Sequence, residues 1–213
     1  MTWTTRAKIA FIGSHGVRKT AAVASFVAAL SRAGRSWQMV SEVVRDSPMG
    51  INESASPEAQ LWVLMTQIQR ELIMANKADI LVTDRAVIDN YAYLLRAGGG
   101  ADPFCVEPLV RSWSGTYDLV VRLLPNVALR ADGVRSTNDA FRDEIEAILD
   151  DILPHFVNAE RLVELPASHV TRTHDWFPLA ERLAIATGQT LLDPGFLSEE
   201  FELEVPGIAP SSG

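Results

Sequence analysis

The chain of 213 residues is long enough for one α/β domain with a substantial core, and a second independent domain is not expected. A net charge of −8 argues against a nucleic-acid backbone as the main partner, because proteins that bind one usually present a basic face. The single cysteine, Cys105, excludes an internal disulfide. Neither a signal-peptide core nor an apolar run of the roughly 20 residues that span a bilayer is recognisable. We therefore expect a cytoplasmic protein with no membrane partner.

The first predicted elements are a buried strand over residues 8–12, a turn that contains glycines, and a helix that ends at Gly34. A strand, a turn and a helix in this order, with Lys-Thr at the junction, are typical of a phosphate-binding P-loop. The N–H groups of the turn and of the helix N-terminus suit a polyphosphate. We expect Lys19 on the β- and γ-phosphates and the Thr20 hydroxyl on Mg²⁺. The predicted nucleotide-binding residues are Gly13, Ser14, His15, Gly16, Val17, Arg18, Lys19 and Thr20.

One position of this loop departs from the P-loop pattern, which has glycine immediately before the lysine, whereas this chain has Arg18. If the position requires a positive φ, arginine costs on the order of 1–2 kcal/mol there. The alternative is a strand–turn–helix unit that has lost its nucleotide. His15 is expected to hydrogen-bond its own backbone rather than to act in catalysis.

Charged residues follow the next two predicted strands. The strand over residues 37–41 ends in Ser41-Glu42, with Arg45 close behind, and the strand over 80–83 ends in Asp84-Arg85. Ligands gather at the carboxyl ends of parallel strands, so Asp84 is well placed to hold Mg²⁺ directly or through water. Glu42 is as consistent with a solvated strand end as with a base. Asp84-Arg85 is also consistent with a local ion pair at the surface, which would contribute little to stability.

A helix is predicted between these two strands, with Ser56 as its N-cap and Pro57 in its first turn. It extends to about Met74. Three polar residues lie off its apolar stripe and face either a substrate cleft or water: Gln60, Gln67 and Glu71.

The remaining chain continues the alternation with a helix over 87–95, an irregular helical segment over 101–114, strands over 117–124 and 161–165, and a last helix over 176–186. Another helix is capped by Asn138 and carries Arg142 in its first turns. Its acidic residues are expected to form a solvated face: Asp143, Glu144, Glu146, Asp150 and Asp151. Residues 1–195 are predicted to form a single domain and residues 196–213 an acidic, then Pro/Gly/Ser-rich mobile tail. The alternation predicts an α/β architecture with a mainly parallel sheet.

Phosphoryl transfer needs a loop and a lysine for the donor phosphates, a carboxylate for the metal, a second carboxylate for the acceptor proton, and arginines for developing charge. The sequence offers this set at the predicted sheet edge: Lys19, Glu42, Asp84, Arg85, Arg135 and Arg142, with Thr20 and Asp84 as metal ligands. Arg135 and Arg142 are also explained as ordinary charges flanking a helix.

These motifs, in order, resemble the P-loop NTPase/kinase family that includes the nicotinamide riboside kinase-like AAA-type ATPase domains and, more distantly, deoxynucleoside and thymidylate kinases. The resemblance covers about residues 8–165 and rests on Gly13-x-x-Gly16-x-x-Lys19-Thr20, Ser41-Glu42-x-x-Arg45, Asp84-Arg85-x-x-x-Asp89-Asn90-x-x-Tyr93, and Asp132-Gly133-x-Arg135 with Phe141-Arg142. It implies a three-layer α/β/α P-loop NTPase fold with a five-stranded sheet. It also implies Glu42 as general base, Asp84 and Arg85 on metal and phosphate, and a lid over about 126–145 that supplies Arg135 and Arg142.

The resulting prediction is an ATP- and Mg²⁺-dependent phosphotransferase for a small hydroxyl-bearing metabolite, such as a nucleoside or nucleotide. The alternatives are a regulatory ATPase or GTPase that switches a protein partner, and a degenerate P-loop scaffold. The sequence N-K-x-D at 76–79 precedes a strand rather than following a later one, so we interpret it as coincidence and not as a guanine-reading motif. A homo-oligomer remains open.

Overall fold

The computed structural model describes residues 7–125, 138–167, 176 and 179. The five strands are β1 (Ala7–Ile12), β2 (Trp37–Val40), β3 (Ile80–Asp84), β4 (Leu119–Leu124) and β5 (Leu162–Pro166). The α-helices of the described residues are α1 (Lys19–Arg32), α2 (Pro57–Met74), α3 (Val87–Ala97), α4 (Glu107–Ser114) and α5 (Asp139–Phe156). Short 3-10 helices cover Val43–Asp46, Asn52–Ser54 and Ala159–Arg161.

The strands form one sheet in the order β2-β3-β1-β4-β5, and all four pairings are parallel. This arrangement confirms the predicted five-stranded parallel sheet. The central strand, β1, is buried along its whole length, as expected for a strand that is paired on both edges and covered on both faces. Its register sets Phe11 opposite Asp84 of β3 and Val121 of β4, so the carboxyl ends of the three strands lie together.

Alternate residues of β1 enter two different cores. Ile9 and Phe11 pack in a cluster with α1, whereas Ala10 and Ile12 pack in a cluster with α2, α3 and α5. Trp176 belongs to the first cluster, where its ring lies 5.8 Å from that of Phe11. Helices therefore cover both faces of the sheet, which confirms the three-layer α/β/α fold.

Two helix starts agree with the sequence. The Ser56 hydroxyl accepts a hydrogen bond from the Ala59 N–H at 3.3 Å, and the Asn138 side chain accepts one from the Phe141 N–H at 3.3 Å. Each cap satisfies an N–H group that has no partner within its helix.

A buried polar network ties α2 to the strands. The Lys8 ammonium lies 2.6 Å from Oε2 of Glu71, which also accepts from the Trp113 indole at 2.7 Å. The other Glu71 oxygen accepts from the Tyr117 hydroxyl at 2.9 Å and from Gln67 at 2.8 Å. Gln67 and Glu71, which the sequence left between cleft and solvent, are thus structural residues of the interior.

Several predictions fall outside the described residues: the 126–137 part of the lid with Arg135, most of the helix over 176–186, and the tail 196–213. Residues 139–145 form the first turns of α5. None of the helices that the structure describes is long and apolar enough to cross a membrane.

Candidate active site

The turn between β1 and α1 has the backbone of a P-loop. Gly13 has a φ of 137°, and a Cβ at this position would lie 2.7 Å from the carbonyl oxygen of Leu123 in β4. Gly16 also has a positive φ, 78°. Only glycine fits at position 13, because the close approach of β4 leaves no room for a side chain and the positive φ disfavours one.

Arg18 adopts the left-handed conformation, with φ 60° and ψ 31°, at the N-cap of α1. The position therefore has the positive φ that glycine adopts without strain and that an arginine adopts at a cost. The Arg18 guanidinium makes no hydrogen bond or ion pair within the residues that the structure describes. The strain therefore has no visible compensation in the loop itself.

Lys19 is folded back over the loop. Its ammonium donates to the carbonyl oxygens of Gly13 at 2.7 Å and Ser14 at 2.6 Å, and the residue is only 3% exposed. Burial, assisted by the nearby Arg85, lowers the pKa of Lys19 to about 8. The cation is thus held against two carbonyl oxygens of the turn.

The Thr20 hydroxyl donates to Oδ2 of Asp84 at 2.6 Å, which joins the start of α1 to the end of β3. The other oxygen of this buried carboxylate, Oδ1, has no hydrogen-bond partner within the described residues. A hydroxyl oxygen and a carboxylate oxygen beside a phosphate-binding loop are ligands that Mg²⁺ accepts. Within the described residues no group of three or more acidic, His or Cys side chains is placed to hold a metal ion by itself.

Arg85 connects β3 to the segment that follows β2. Its Nε donates to Oε1 of Glu42 at 2.8 Å, and its NH1 lies 3.4 Å from Oδ2 of Asp89. Arg45 approaches the second Glu42 oxygen at 3.2 Å. Glu42 is 7% exposed and Arg85 is 5% exposed, so Glu42 is not a solvated strand end. The alternative of a surface Asp84–Arg85 ion pair is also wrong, because Arg85 pairs with Glu42 and Asp89 instead.

A narrow cleft that opens to solvent adjoins the P-loop on the side of Glu42. Its walls come from the loop, from the segment after β2, and from α2, α3 and α5. They are formed by His15, Glu42, Val44, Arg45, Ile51, Gln60, Val63, Arg85, Asn90, Tyr93 and Phe141. The sequence left three polar residues of α2 between a cleft and solvent. Of these, Gln60 lines the cleft, whereas Gln67 and Glu71 are buried in the interior. Two lining residues, His15 and Asn90, each hold a buried side-chain nitrogen without a hydrogen-bond partner in the described part of the chain.

His15 does not have the surroundings that the sequence suggested. Its ring stacks on Phe141 with centroids 5.0 Å apart and planes at 27°, and its Nδ1 lies 3.4 Å from the Tyr93 hydroxyl. Burial, followed by the charges of Arg85, Lys19 and Arg142, lowers the pKa of His15 to about 4. The imidazole is therefore neutral at physiological pH.

Glu146 contacts the P-loop, although the sequence predicted that it faces solvent. Its Oε1 accepts from the Ser14 N–H at 2.9 Å, and its Oε2 pairs with Arg122 at 2.8 Å. The prediction of a solvated acidic face is wrong for Glu146, which is 9% exposed. Arg122 was the available signal, because a charge in an otherwise apolar buried strand requires a partner. It also pairs with Asp150 at 2.6 Å and Glu164 at 3.3 Å.

Arg142 lies in the first turns of α5, as predicted. It pairs with Asp139 at 2.8 Å and Asp143 at 3.8 Å and is not among the residues that line the cleft. The structure thus brings Lys19, Thr20, Asp84, Arg85 and Glu42 together. Arg142 lies near enough to His15 to affect its pKa, and Arg135 falls outside the described residues.

The strand order, the glycine-dependent turn and the Thr–Asp contact define a P-loop fold of the nucleotide kinase-like type. The chain belongs to the AAA domain family, whose profile matches residues 8–172. No curated protein sequence matches the chain significantly.

Solved structures share the fold at low sequence identity. A NadR protein in complex with NAD and AMP-PNP superposes with a TM-score of 0.59 at 17% identity, over 86% of this chain and 50% of that one. The thymidylate kinase of Candida albicans gives 0.52 at 13% identity, over 83% of this chain and 93% of that one. A deoxyadenosine kinase from M. mycoides with bound dATP gives 0.50 at 14% identity, over 76% and 91%. The chain spans about half the length of the NadR chain. These likenesses confirm the fold and the suspected family resemblance.

Proposed function

We propose that the protein is a cytoplasmic ATP- and Mg²⁺-dependent phosphotransferase that phosphorylates a hydroxyl group of a small nucleoside- or nucleotide-like metabolite. The observation that carries the proposal is the cleft beside the P-loop, where the buried Glu42 carboxylate is held by Arg85 and Arg45. A kinase requires an acceptor pocket next to its phosphate site, whereas a nucleotide-dependent switch does not. The kinase-like fold of the NadR, deoxyadenosine kinase and thymidylate kinase structures supports the same class.

Each residue of the site has a role in this chemistry. The loop N–H groups and Lys19 bind the β- and γ-phosphates, and Thr20 and Asp84 hold Mg²⁺, which neutralises phosphate charge when it is bound. Glu42 orients the acceptor hydroxyl and takes its proton as the new O–P bond forms and the bond from the γ-phosphorus to the bridging oxygen breaks. Arg85 fixes the Glu42 carboxylate and places positive charge beside the transferred group.

The proposal is tested by calorimetric titration with Mg-ATP, Mg-GTP and the diphosphates, followed by a phosphate-transfer screen over nucleosides and nucleotides. Binding together with transfer to an acceptor is the expected result. Binding without transfer would instead favour the regulatory NTPase. The absence of nucleotide binding would indicate the degenerate scaffold and a loop closed by Arg18.

Glu42→Gln separates the catalytic step from nucleotide binding. It removes the proton acceptor but retains an amide oxygen toward Arg85, so we expect Mg-ATP affinity to be kept and transfer to fall by roughly 10²–10⁴-fold. Glu160→Gln makes the same chemical change at an exposed position and serves as the control. Equal transfer rates for the two variants would remove Glu42 from the mechanism.

A further inference from the structure

A single peptide unit of the P-loop lies between a carboxylate and an ammonium group. The Ser14 N–H donates to Oε1 of Glu146 at 2.9 Å, and the Gly13 carbonyl oxygen accepts from the Lys19 ammonium at 2.7 Å. This carbonyl and this N–H belong to the same planar trans peptide, so they point in opposite directions. Glu146 and Lys19 therefore hold the peptide between Gly13 and Ser14 from its two sides.

The restraint acts on a peptide that would otherwise turn easily. Gly13 has a φ of 137° and no side chain, so the plane that follows it rotates at little steric cost. Half a turn of this plane would take the Gly13 carbonyl away from Lys19 and would set it against Oε1 of Glu146, where two acceptor oxygens repel each other. The carboxylate on the Ser14 N–H thus favours the orientation in which Lys19 has its carbonyl partner.

Glu146 is itself fixed by Arg122, which lies opposite Ile12 in the register of β4 and β1. Its Oε2 accepts from Arg122 at 2.8 Å, and its side chain is 11% exposed. Arg122 also pairs with Asp150 at 2.6 Å, whose side chain is 66% exposed, and with Glu164 at 3.3 Å. Of these three carboxylates, Glu146 is the one that hydrogen-bonds the P-loop within the described residues.

The charge of Glu146 has the wrong sign for binding phosphate directly. A carboxylate repels a phosphate group, and the N–H that it occupies is not offered to a ligand. Its contribution lies in the placement of Lys19, whose ammonium has three protons. The carbonyl oxygens of Gly13 and Ser14 accept two of them at 2.7 and 2.6 Å, which leaves the third in a defined direction for a phosphate oxygen.

We propose that Glu146 is a positioning residue of the P-loop, which fixes the peptide between Gly13 and Ser14 and thereby holds the Lys19 ammonium ready for the nucleotide phosphates. This inference rests on one part of the proposed function, namely that the loop binds a nucleotide. It does not depend on the acceptor. The P-loop pattern itself includes no residue of α5.

Glu146→Gln is the test variant. The carboxylate offers one oxygen to Ser14 and the other to Arg122, whereas the amide has a single oxygen and cannot accept from both. Asp150→Asn is the matched control, because it removes a carboxylate from the same arginine without altering a contact to the loop. Arg122 keeps two carboxylate partners in either variant, and urea unfolding checks that both proteins are folded.

Two measurements are made on each protein: the dissociation constant of Mg-ATP by calorimetry, and the exchange rate of the Ser14 amide hydrogen by NMR in the free protein. We expect Glu146→Gln to weaken Mg-ATP binding about 10-fold and to accelerate exchange at Ser14. Asp150→Asn should stay within about 2-fold of wild type in both. The direction is informative, because the loss of a negative charge alone would tighten nucleotide binding in both variants.

A double-mutant cycle with Lys19→Met separates positioning from a general structural role. If Glu146 acts through Lys19, Glu146→Gln should weaken Mg-ATP binding no further once the ammonium is gone. The Lys19→Met proteins are titrated at higher nucleotide concentrations to allow for their lower affinity.

Several results would overturn the assignment. Unchanged or tighter Mg-ATP binding in Glu146→Gln would show that the carboxylate does not position Lys19, and unchanged exchange at Ser14 would show that the contact is absent in solution. An equal loss in Asp150→Asn, or a further 10-fold loss in the Lys19→Met protein, would leave Glu146 a structural role only.

Failure of the proposed function is distinguishable from these results. Wild-type protein would then bind Mg-ATP without transferring phosphate to any acceptor, and the comparison of the variants would still decide the role of Glu146. A wild-type protein that binds no Mg-nucleotide would overturn both proposals.

Discussion

Replacing Arg18 with glycine tests whether the unusual P-loop is strained. Arg18 has φ 60° and ψ 31°, a conformation that costs an L-residue roughly 1–2 kcal/mol. Glycine removes that cost but loses about 0.5–1 kcal/mol through the greater freedom of the unfolded chain. The net expectation is that Arg18→Gly stabilises the protein by up to about 1.5 kcal/mol, at roughly 2–4 °C in Tm per kcal/mol for a domain of this size.

The assay is urea unfolding of the wild type, Arg18→Gly and Arg18→Ala. Alanine keeps the strained φ and removes the guanidinium, so the difference between the Gly and Ala variants isolates the backbone term. Gly34 offers a matched control because it has a φ of 66° and nothing within 4 Å of where a Cβ would be. Gly34→Ala should therefore destabilise the protein by an amount similar to the Gly–Ala difference at position 18.

The reasoning is refuted if Arg18→Gly is less stable than Arg18→Ala. Such a result would mean that the left-handed conformation carries no penalty at this position. If both variants are less stable than wild type by the same amount, the guanidinium contributes contacts of its own. Calorimetry with Mg-ATP on the same proteins then shows whether the side chain hinders or assists the nucleotide.

Three further predictions concern the site and the interior. Under the proposed function Asp84 supplies an oxygen ligand to Mg²⁺, so Asp84→Asn should weaken Mg-ATP binding by roughly 10–100-fold and metal-free ATP binding much less; equal losses in calorimetry would mean a structural role. Burial lowers the pKa of Lys19 to about 8 in the free protein, and phosphate favours the charged form, so between about pH 8 and 9 ATP binding should take up a proton. Titrations in buffers of different ionisation enthalpy measure this uptake, which Lys19→Met should abolish. Lys8→Met leaves the buried Glu71 carboxylate without its cation and should cost about 3 kcal/mol in urea unfolding, and a cost no larger than that of the exposed Lys77→Met would contradict this.

Local patterns in the sequence were sufficient for the fold and for half of the site. The apolar run 80–83 predicted a strand covered on both faces, and glycine spacing followed by Lys19-Thr20 predicted the loop. The carboxyl-end rule for parallel strands placed Glu42 and Asp84 at one edge.

The remaining site depends on pairs that are far apart along the chain. Ser14 and Glu146 are separated by 132 positions. Periodicity alone therefore predicted, wrongly, that Glu146 faces solvent. His15 and Tyr93 are 78 positions apart, so the sequence offered no reason to connect them. Burial and charge are local properties that a pattern can indicate, but the choice of partner is set by helix packing against the sheet. Only the unexplained Arg122 in a buried strand signalled that such a partner existed.

The end of β3 connects the two halves of the site. Asp84 and Arg85 are neighbours in the chain, yet Asp84 contacts Thr20 at the phosphate loop, whereas Arg85 contacts Glu42 at the cleft. Arg85 has a φ of 88°, an unfavourable conformation that persists only where surrounding contacts hold it. Those contacts are its bonds to Glu42 and Asp89 and the approach of Gln67 to its carbonyl oxygen at 3.2 Å. A single peptide unit thus joins the residue that contacts Thr20 to the residue that holds the Glu42 carboxylate. Under the proposed function, this connection aligns the acceptor hydroxyl with the γ-phosphate when the donor is in place.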